Sequence, residues 1–203
     1  MAIESGTSGQ EHTSRIEDTL KSIIVTRSAQ LEDIEAIQAI SIDRQADVTP
    51  GYPEYIAMQV HRLRMHGLER KRMLIERALS DPEHYFMQVA LVEGKVVGYT
   101  TAEALPDDKF TWWRGLRVDK DYEARGVARA LEIERRAWAQ KKGRPVRVRI
   151  PSSNTSSLAF IGHPKYGFKP IASEAPTAER PPFIIMELHL PSLQGKAGSQ
   201  PGH

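Results

Sequence analysis

The sequence predicts a single α/β (α+β) domain built on a mixed, largely antiparallel sheet of about six or seven strands flanked by helices. Three observations carry this expectation. The segment "YFMQVALVEGKVVGYTTAEAL" holds two β-rich runs joined at Glu93-Gly94, and a third run, "KFTWWRGLRV", follows Asp107-Asp108; the three read as an antiparallel meander. Strand and helix periodicities then interleave in the order strand, helices, three strands, helix, strand, helix, two strands, which describes one layered α/β structure. Finally, 203 residues, 40% of them hydrophobic, suffice for one sizeable core and are few for two.

Taken in order, residues 1–20 are rich in Ser, Thr, Gly and Glu, and residues 191–203 in Pro, Gly and Ser. Neither stretch has an apolar pattern that would offset the entropy of ordering, so both are expected to be disordered tails around a domain at 21–190. "SIIVTRSA" reads as a short strand, and Leu31, Ile34, Ile37 and Ile40, followed by Ile42, place a helix after it. From Pro53 to Leu79, the residues Ile56, Val60, Leu63, Leu68, Ile75 and Leu79 predict one or two helices, with a break at Gly67 and a boundary at Pro82. After the meander, a helix is expected over 126–142, with Val127, Ala130, Leu131, Ala137 and Trp138 near one face, Lys141-Lys142 in the last turn and Gly143 as the stop. "PVRVRI" is a strand, "NTSSLAFIGHPKYGF" a short helix broken near Gly162 and Pro164, and "PFIIMELHL" a final strand.

Composition excludes several functions. The formal net charge is +2, so no global field argues for nucleic acid or an anionic membrane, and an anion site must be local. The chain has no cysteine, which removes disulfides, thiolate metal sites and a cysteine nucleophile, and suits a reducing, cytoplasmic setting. The polar, acid-containing start has neither signal-peptide nor transit-peptide character, and no apolar run approaches the ~18 residues of a membrane span. "VHRLRMHGLERKRM" is a basic helical stretch, but no aromatic residues interleave it for stacking, so a solvated helix face is preferred to a nucleic-acid surface.

The stretch "VDKDYEARGVARALEIERRAW" opens like a strand end and closes like an amphipathic helix. A helix whose first turn is free of large side chains presents N–H groups and the positive end of its dipole, and Ala124-Arg125-Gly126-Val127-Ala128 supplies such a turn. Gly126 permits close approach, and Arg125 and Arg129 add charge suited to phosphate. A strand-to-helix turn that uses glycine for packing alone explains the same residues equally well. The glycines of a Rossmann fingerprint and the Gly-Lys-Ser/Thr of a P-loop are both missing.

These residues resemble a known family. "LRVDKDYEARGVARAL" is similar to the acyl-CoA-binding signature of the GNAT N-acetyltransferases, Gln/Arg-x-x-Gly-x-Gly/Ala, which begins five residues after a strand-ending valine. The spacing from Val118 to Glu123 matches, Gly126 and Ala128 fill the small positions, and Glu123 stands where the family prefers Gln or Arg. "VTRSAQLEDIEAI" resembles the family's opening strand and helix, "ALVEGKVVGYTTAE" its next hairpin, and "NTSSLAFIGHPKYGF" its Asn-x-x-Ser-x-x-Phe-His-x-x-x-Gly-Phe helix with about two extra residues at Ile161-Gly162. The resemblance covers roughly residues 22–190 and implies the family's acyl-CoA N-acyltransferase fold.

It also implies acetyl-CoA as cosubstrate, an amine as acceptor, and no metal. Main-chain groups of Leu116 and Val118, with Arg117 between them, would pair with the pantetheine arm as an added strand does, and the N–H groups around Glu123, Ala124, Arg125, Gly126, Val127, Ala128 and Arg129 would cap the pyrophosphate. Asn154 and Ser157 either hydrogen-bond the cofactor or cap their helix, and Phe160 belongs to the same cofactor-side segment. Acetyl transfer needs a neutral amine, a polarised thioester and a proton for the departing thiolate. By the resemblance, His163 is the acid near the thioester sulfur, with Tyr166 as substitute. Glu103 is the candidate base, since "TWWR" carries no carboxylate. Of Trp112 and Trp113, which alternate across a strand, one should face the core and the other a cleft.

Two functions therefore stand: an acetyl-CoA-dependent N-acetyltransferase acting on a primary amine in a ternary complex, and a non-catalytic acyl-CoA sensor or interaction module on the same scaffold. A homodimer is compatible with either.

Overall fold

A computed structural model describes residues 23–177 and 180–191. The expected tails lie outside these residues except for Pro191, whose carbonyl accepts a 3.0 Å hydrogen bond from Gln140. The strands are β1 (Val25–Ser28), β2 (Tyr85–Val92), β3 (Lys95–Glu103), β4 (Thr111–Val118), β5 (Val146–Pro151), β6 (Lys169–Glu174) and β7 (Phe183–Leu188). The helices are α1 (Ile34–Asp43), α2 (Gln45–Val48), α3 (Pro53–Ser80), α4 (Val127–Lys142) and α5 (Thr155–Gly162). The strands form one seven-stranded sheet in the order β1-β2-β3-β4-β5-β7-β6. Only the β4–β5 pairing is parallel; α4 provides its crossover.

The β2–β3 hairpin turns at Glu93 and Gly94, both left-handed (φ 52° and 77°), the geometry that matches the twist of the flanking strands. Helices cover both faces. On one, α1 and α3 pack Ile34, Ile37, Ile40 and Ile75 against Met87, Val89 and Tyr99. On the other, Val127 and Leu131 of α4 pack on Ala90, Val97 and Val118, and a neighbouring cluster joins Trp113, Ile150, Tyr166, Phe168 and Met186. No helix among the described residues is long and apolar enough to cross a membrane.

Two sequence expectations need correction. Gly67 does not break the helix: α3 runs unbroken for 28 residues, and Gly67 is buried where a Cβ would overlap the Gln38 side chain, which reaches over it to donate to the Leu63 carbonyl. The buried row of α4 is Val127, Leu131, Arg135 and Ala139, with Glu132 beside it, whereas Ala137 is exposed and Trp138 half-buried. Periodicity weighted toward apolar residues missed this face because two of its members are charged.

Candidate active site

β4 is the strand around which the site assembles. It pairs with β3 so that Arg117 lies opposite Tyr99, and the ladder continues as an Asp119 N–H to Val97 carbonyl bond of 2.8 Å. Main-chain groups alternate in direction along an antiparallel ladder, so Leu116 and Val118 turn their N–H and C=O groups away from β3. On that side β5 pairs with β4 only from Thr111↔Val146 to Trp113↔Val148, and its next residues stay with β7 instead. From Arg114 onward β4 thus presents an edge inside the sheet that no described strand fills.

The chain beyond this edge makes a tight turn. Asp119 caps a one-turn 3-10 helix at Lys120–Tyr122 by accepting the Asp121 N–H at 3.0 Å. Ala124 (φ 59°) and Gly126 (φ 90°) are both left-handed, and α4 begins at Val127 with no side chain capping it. A Cβ at Gly126 would lie 3.7 Å from Ile24 Cδ1, an ordinary contact, so glycine is required there by backbone torsion and not by lack of space. Val127 is buried, Ala128 half-buried and Arg129 exposed, leaving the first-turn N–H groups of α4 without side-chain partners. The exposed Arg125 guanidinium lies 5.2 Å from the Tyr122 ring centre. Glu123 forms an ion pair with Arg44, which also holds Asp47 at 3.2 Å, while Lys120 meets Asp43 at 3.2 Å. The turn is therefore tied to the end of α1 and to α2, and the acidic residue at position 123 is matched by a cation.

The other sequence candidates fall in three places. Asn154 Oδ1 accepts the Ser157 N–H at 2.9 Å and caps α5. Phe160 packs on Tyr166 with ring centres 4.6 Å apart, and Tyr166 is buried in the core cluster under β4 and β5. His163 is exposed just past α5; its Nδ1 accepts the Lys165 N–H at 3.3 Å, and its ring centre is 6.4 Å from that of Tyr166. Glu103 lies on β3 opposite Trp112, with Oε1 accepting from both Nε (2.8 Å) and Nη2 of Arg114. Arg114 in turn stacks over Trp112 at 4.9 Å. Trp113, on the opposite face, is 2% exposed, so the two tryptophans divide between core and surface.

Sequence reasoning passed over two buried charged groups. Arg135 of α4 sits 3.9 Å from the Trp113 ring centre and donates to the Gly115 carbonyl at 3.3 Å, just where β4 and β5 part. Burial, opposed by Glu132 and reinforced by Arg136, pulls it down to about 9. The second group joins Tyr99, Lys71, Arg117, Ser41 and Gln45 on the opposite face of the sheet. Lys71 stands four residues after Gly67 and four before Ile75, both buried, so it falls on the inward face of α3 and not on the solvated face expected for "VHRLRMHGLERKRM". A cavity of about 210 Å³ lined by Ser28, Phe86, Trp138 and Lys141 lies at β2 and α4, apart from the β4 edge. No group of three or more His, Asp or Glu residues is gathered for a metal among the described residues.

Comparison with known proteins gives a family match and several similar folds. A family model, Acetyltransferase (GNAT) family, matches residues 53–168. Among curated proteins, the N-acetylaspartate synthetase of Xenopus tropicalis is 38% identical over 60 residues, which span 26% of this chain and 22% of that protein. Among solved structures, the PaiA N-acetyltransferase of Thermoplasma acidophilum in complex with coenzyme A superimposes with a TM-score of 0.66 at 19% identity, covering 83% of this chain and 99% of that one. An N-acetyltransferase of Staphylococcus aureus Mu50 gives 0.64 at 21% identity over 83% and 99% of the two chains. The ribosomal-protein-alanine N-acetyltransferase of Brucella melitensis gives 0.63 at 20% identity over 82% and 99%.

Proposed function

The chain belongs to the GNAT acetyltransferase family, and from that premise we propose that it transfers an acetyl group from acetyl-CoA to a primary amine of a small molecule or peptide by direct attack in a ternary complex. The observation that carries this reading is the open edge of β4 at Leu116 and Val118, followed within one turn by the uncapped start of α4. An amide-bearing pantetheine arm matches the first as an added strand, and a pyrophosphate matches the second as an anion at a helix start. Acetyl-CoA supplies the activated acetyl group.

The amine nitrogen attacks the thioester carbonyl carbon, the C–S bond breaks, and the thiolate takes a proton. His163 is the proposed donor, acting as the imidazolium and passing a proton to the thiolate through Nε2, the ring nitrogen not turned toward the Lys165 N–H. Tyr166 is the alternative, although its ring is packed on Phe160. Glu103 is the proposed base, directly or through water; both Arg114 bonds fall on Oε1, leaving Oε2 as the basic atom. The domain proposed for this activity spans residues 21–190, between the tails 1–20 and 191–203, in a cytoplasmic protein.

A second reading, a non-catalytic acyl-CoA module, draws on two observations: Glu103 is engaged by Arg114, and His163 is exposed. A thiol-release assay with acetyl-CoA against amines and peptides separates the two, run beside calorimetry with acetyl-CoA and CoA. The curated relative's name, N-acetylaspartate synthetase, puts an acidic amino acid on that panel. Thiol release dependent on an amine supports the enzyme; tight CoA binding without release from any amine supports the module; absence of CoA binding defeats both.

A further inference from the structure

Between the sheet and helices α1, α2 and α3 lies a polar cluster that the chemistry above does not use. The Tyr99 hydroxyl is 2.7 Å from Ser41 Oγ and accepts from Lys71 Nζ and Arg117 Nη1, each at 3.3 Å. Arg117 also donates to the Ser41 carbonyl at 3.3 Å and to Gln45 Oε1 at 3.2 Å. Tyr99 and Lys71 are 3% and 8% exposed, and Arg117 is half-buried. Neither cation forms an ion pair among the described residues. Two cations converging on one hydroxyl in a desolvated place is an unfavourable arrangement unless an anion completes it.

We propose that Lys71 and Arg117 form an anion subsite for the acceptor, so that the substrate is a small amine carrying a carboxylate. This rests on the acetyl-transfer reading and narrows it. The donors are in place: the Lys71 ammonium has three N–H groups and one protein acceptor, and Arg117 keeps N–H groups beyond those its three partners use. The position is also suitable. Arg117 lies between Leu116 and Val118, and its side chain points to the face opposite α4. The subsite and the open edge are thus formed by consecutive residues of one strand. Enclosure by Ser41 of α1, Gln45 of α2 and Lys71 of α3 favours a small acceptor over a folded partner.

The titration of the cluster agrees. Burial by itself would raise Tyr99, but the Arg117 and Lys71 charges and the hydrogen bonds of Ser41 and Lys71 outweigh it and bring the phenol down to about 8. Lys71 is lowered by burial, with Tyr99 opposing the shift and Arg117 and Arg70 adding to it. A tyrosinate and a substrate carboxylate therefore compete for the same cations, and acceptor binding weakens as the pH rises through about 8.

The test uses ethylamine, β-alanine and L-aspartate, which share a primary amine and carry no, one and two carboxylates. The wild-type protein is expected to acetylate the two carboxylated amines with at least roughly tenfold higher kcat/KM than ethylamine, and Lys71→Met to raise their KM roughly 10- to 100-fold without altering acetyl-CoA affinity. Methionine suits the buried site, so the variant is expected to fold. Tyr99→Phe should bind the acids at pH 6.5 yet lose the weakening near pH 8. Equal use of ethylamine, or an unchanged KM in Lys71→Met, overturns the proposal. If acetyl-CoA binds but no amine is acetylated, the acetyl-transfer reading fails, and calorimetry with succinate decides the subsite alone: binding lost in Lys71→Met supports it, and no binding or equal binding overturns it.

Discussion

Replacing Gly126 by valine tests whether the turn before α4 is a built anion cradle. The residue sits at φ 90°, ψ −2°, and the Cβ of a side chain would meet only Ile24 Cδ1 at 3.7 Å. The perturbation is therefore torsional. A β-branched residue held at positive φ costs about 1–3 kcal/mol. If the turn keeps its shape, this strain appears as lost stability; if it relaxes to negative φ, the first N–H groups of α4 turn away and the strain appears on binding the anion. At ~1.4 kcal/mol per decade, the second outcome corresponds to roughly a 10- to 100-fold weaker acetyl-CoA complex. Calorimetry and thermal melting on the same variant apportion the two. Arg125→Ala is the contrast: an exposed guanidinium stacked on Tyr122 contributes through charge, so its loss should be milder and shrink as salt is raised. If Gly126→Val changes neither affinity nor melting temperature, the turn is neither strained nor used, and the reasoning is refuted.

Three further outcomes are expected. Ala124, held at φ 59°, should be relieved by Ala124→Gly, leaving acetyl-CoA affinity within about threefold of wild type and stability unchanged or up to about 1 kcal/mol higher; a marked loss of binding would mean that its methyl group makes a contact. Because Tyr99 falls to about 8 and Lys71 is also lowered, the folded state releases protons that the unfolded chain keeps up to about pH 10; stability should therefore rise between pH 8 and 10, by on the order of 2 kcal/mol in chemical denaturation of the wild-type protein and by less in Tyr99→Phe, where Lys71 alone contributes. His163→Ala should lower kcat roughly 10- to 100-fold with little change in CoA affinity, since a thiolate of pKa about 8.5 gains from a donor without depending on it absolutely; if Tyr166→Phe shows that pattern instead, the donor is Tyr166.

The parts of the fold legible in the sequence were those fixed by local chemistry. Glu93-Gly94 announced the hairpin because its twist demands left-handed residues, and Gly126 and Gly143 bracketed α4 because both ends turn through positive φ. Spacing around Val118 and Gly126 also located the strand-to-helix turn. What escaped was decided by tertiary approach. Gly67 reads as a breaker until Gln38 is seen lying over it. Lys71 and Arg135 read as solvent-facing charges until the helix faces are known, since hydropathy counts a buried cation as a polar residue. The opening between β4 and β5 has no local signature either, because it arises where β5 follows β7 and leaves β4.

β4 offers the two proposed substrates different parts of itself, and this bears on the order of events. The cofactor contacts assigned to Leu116 and Val118 are main-chain groups directed along the sheet, whereas the acceptor contact assigned to Arg117 is a side chain directed out of it. Neither set excludes the other, so acetyl-CoA and the amine can occupy the strand together. A covalent acetyl-enzyme is poorly served by comparison: the chain has no cysteine, and Ser41 Oγ, the serine hydroxyl of the cluster, already hydrogen-bonds Tyr99 and the Ile37 carbonyl. Initial-rate measurements with both substrates varied should therefore give intersecting double-reciprocal lines. Arg117→Met should raise the KM of a carboxylated amine well above its effect on acetyl-CoA. Parallel lines, or an equal rise in both constants, would mean that the substrates share one set of groups on β4 and bind in turn, and the assignment of main chain to cofactor and side chain to acceptor would have to be abandoned.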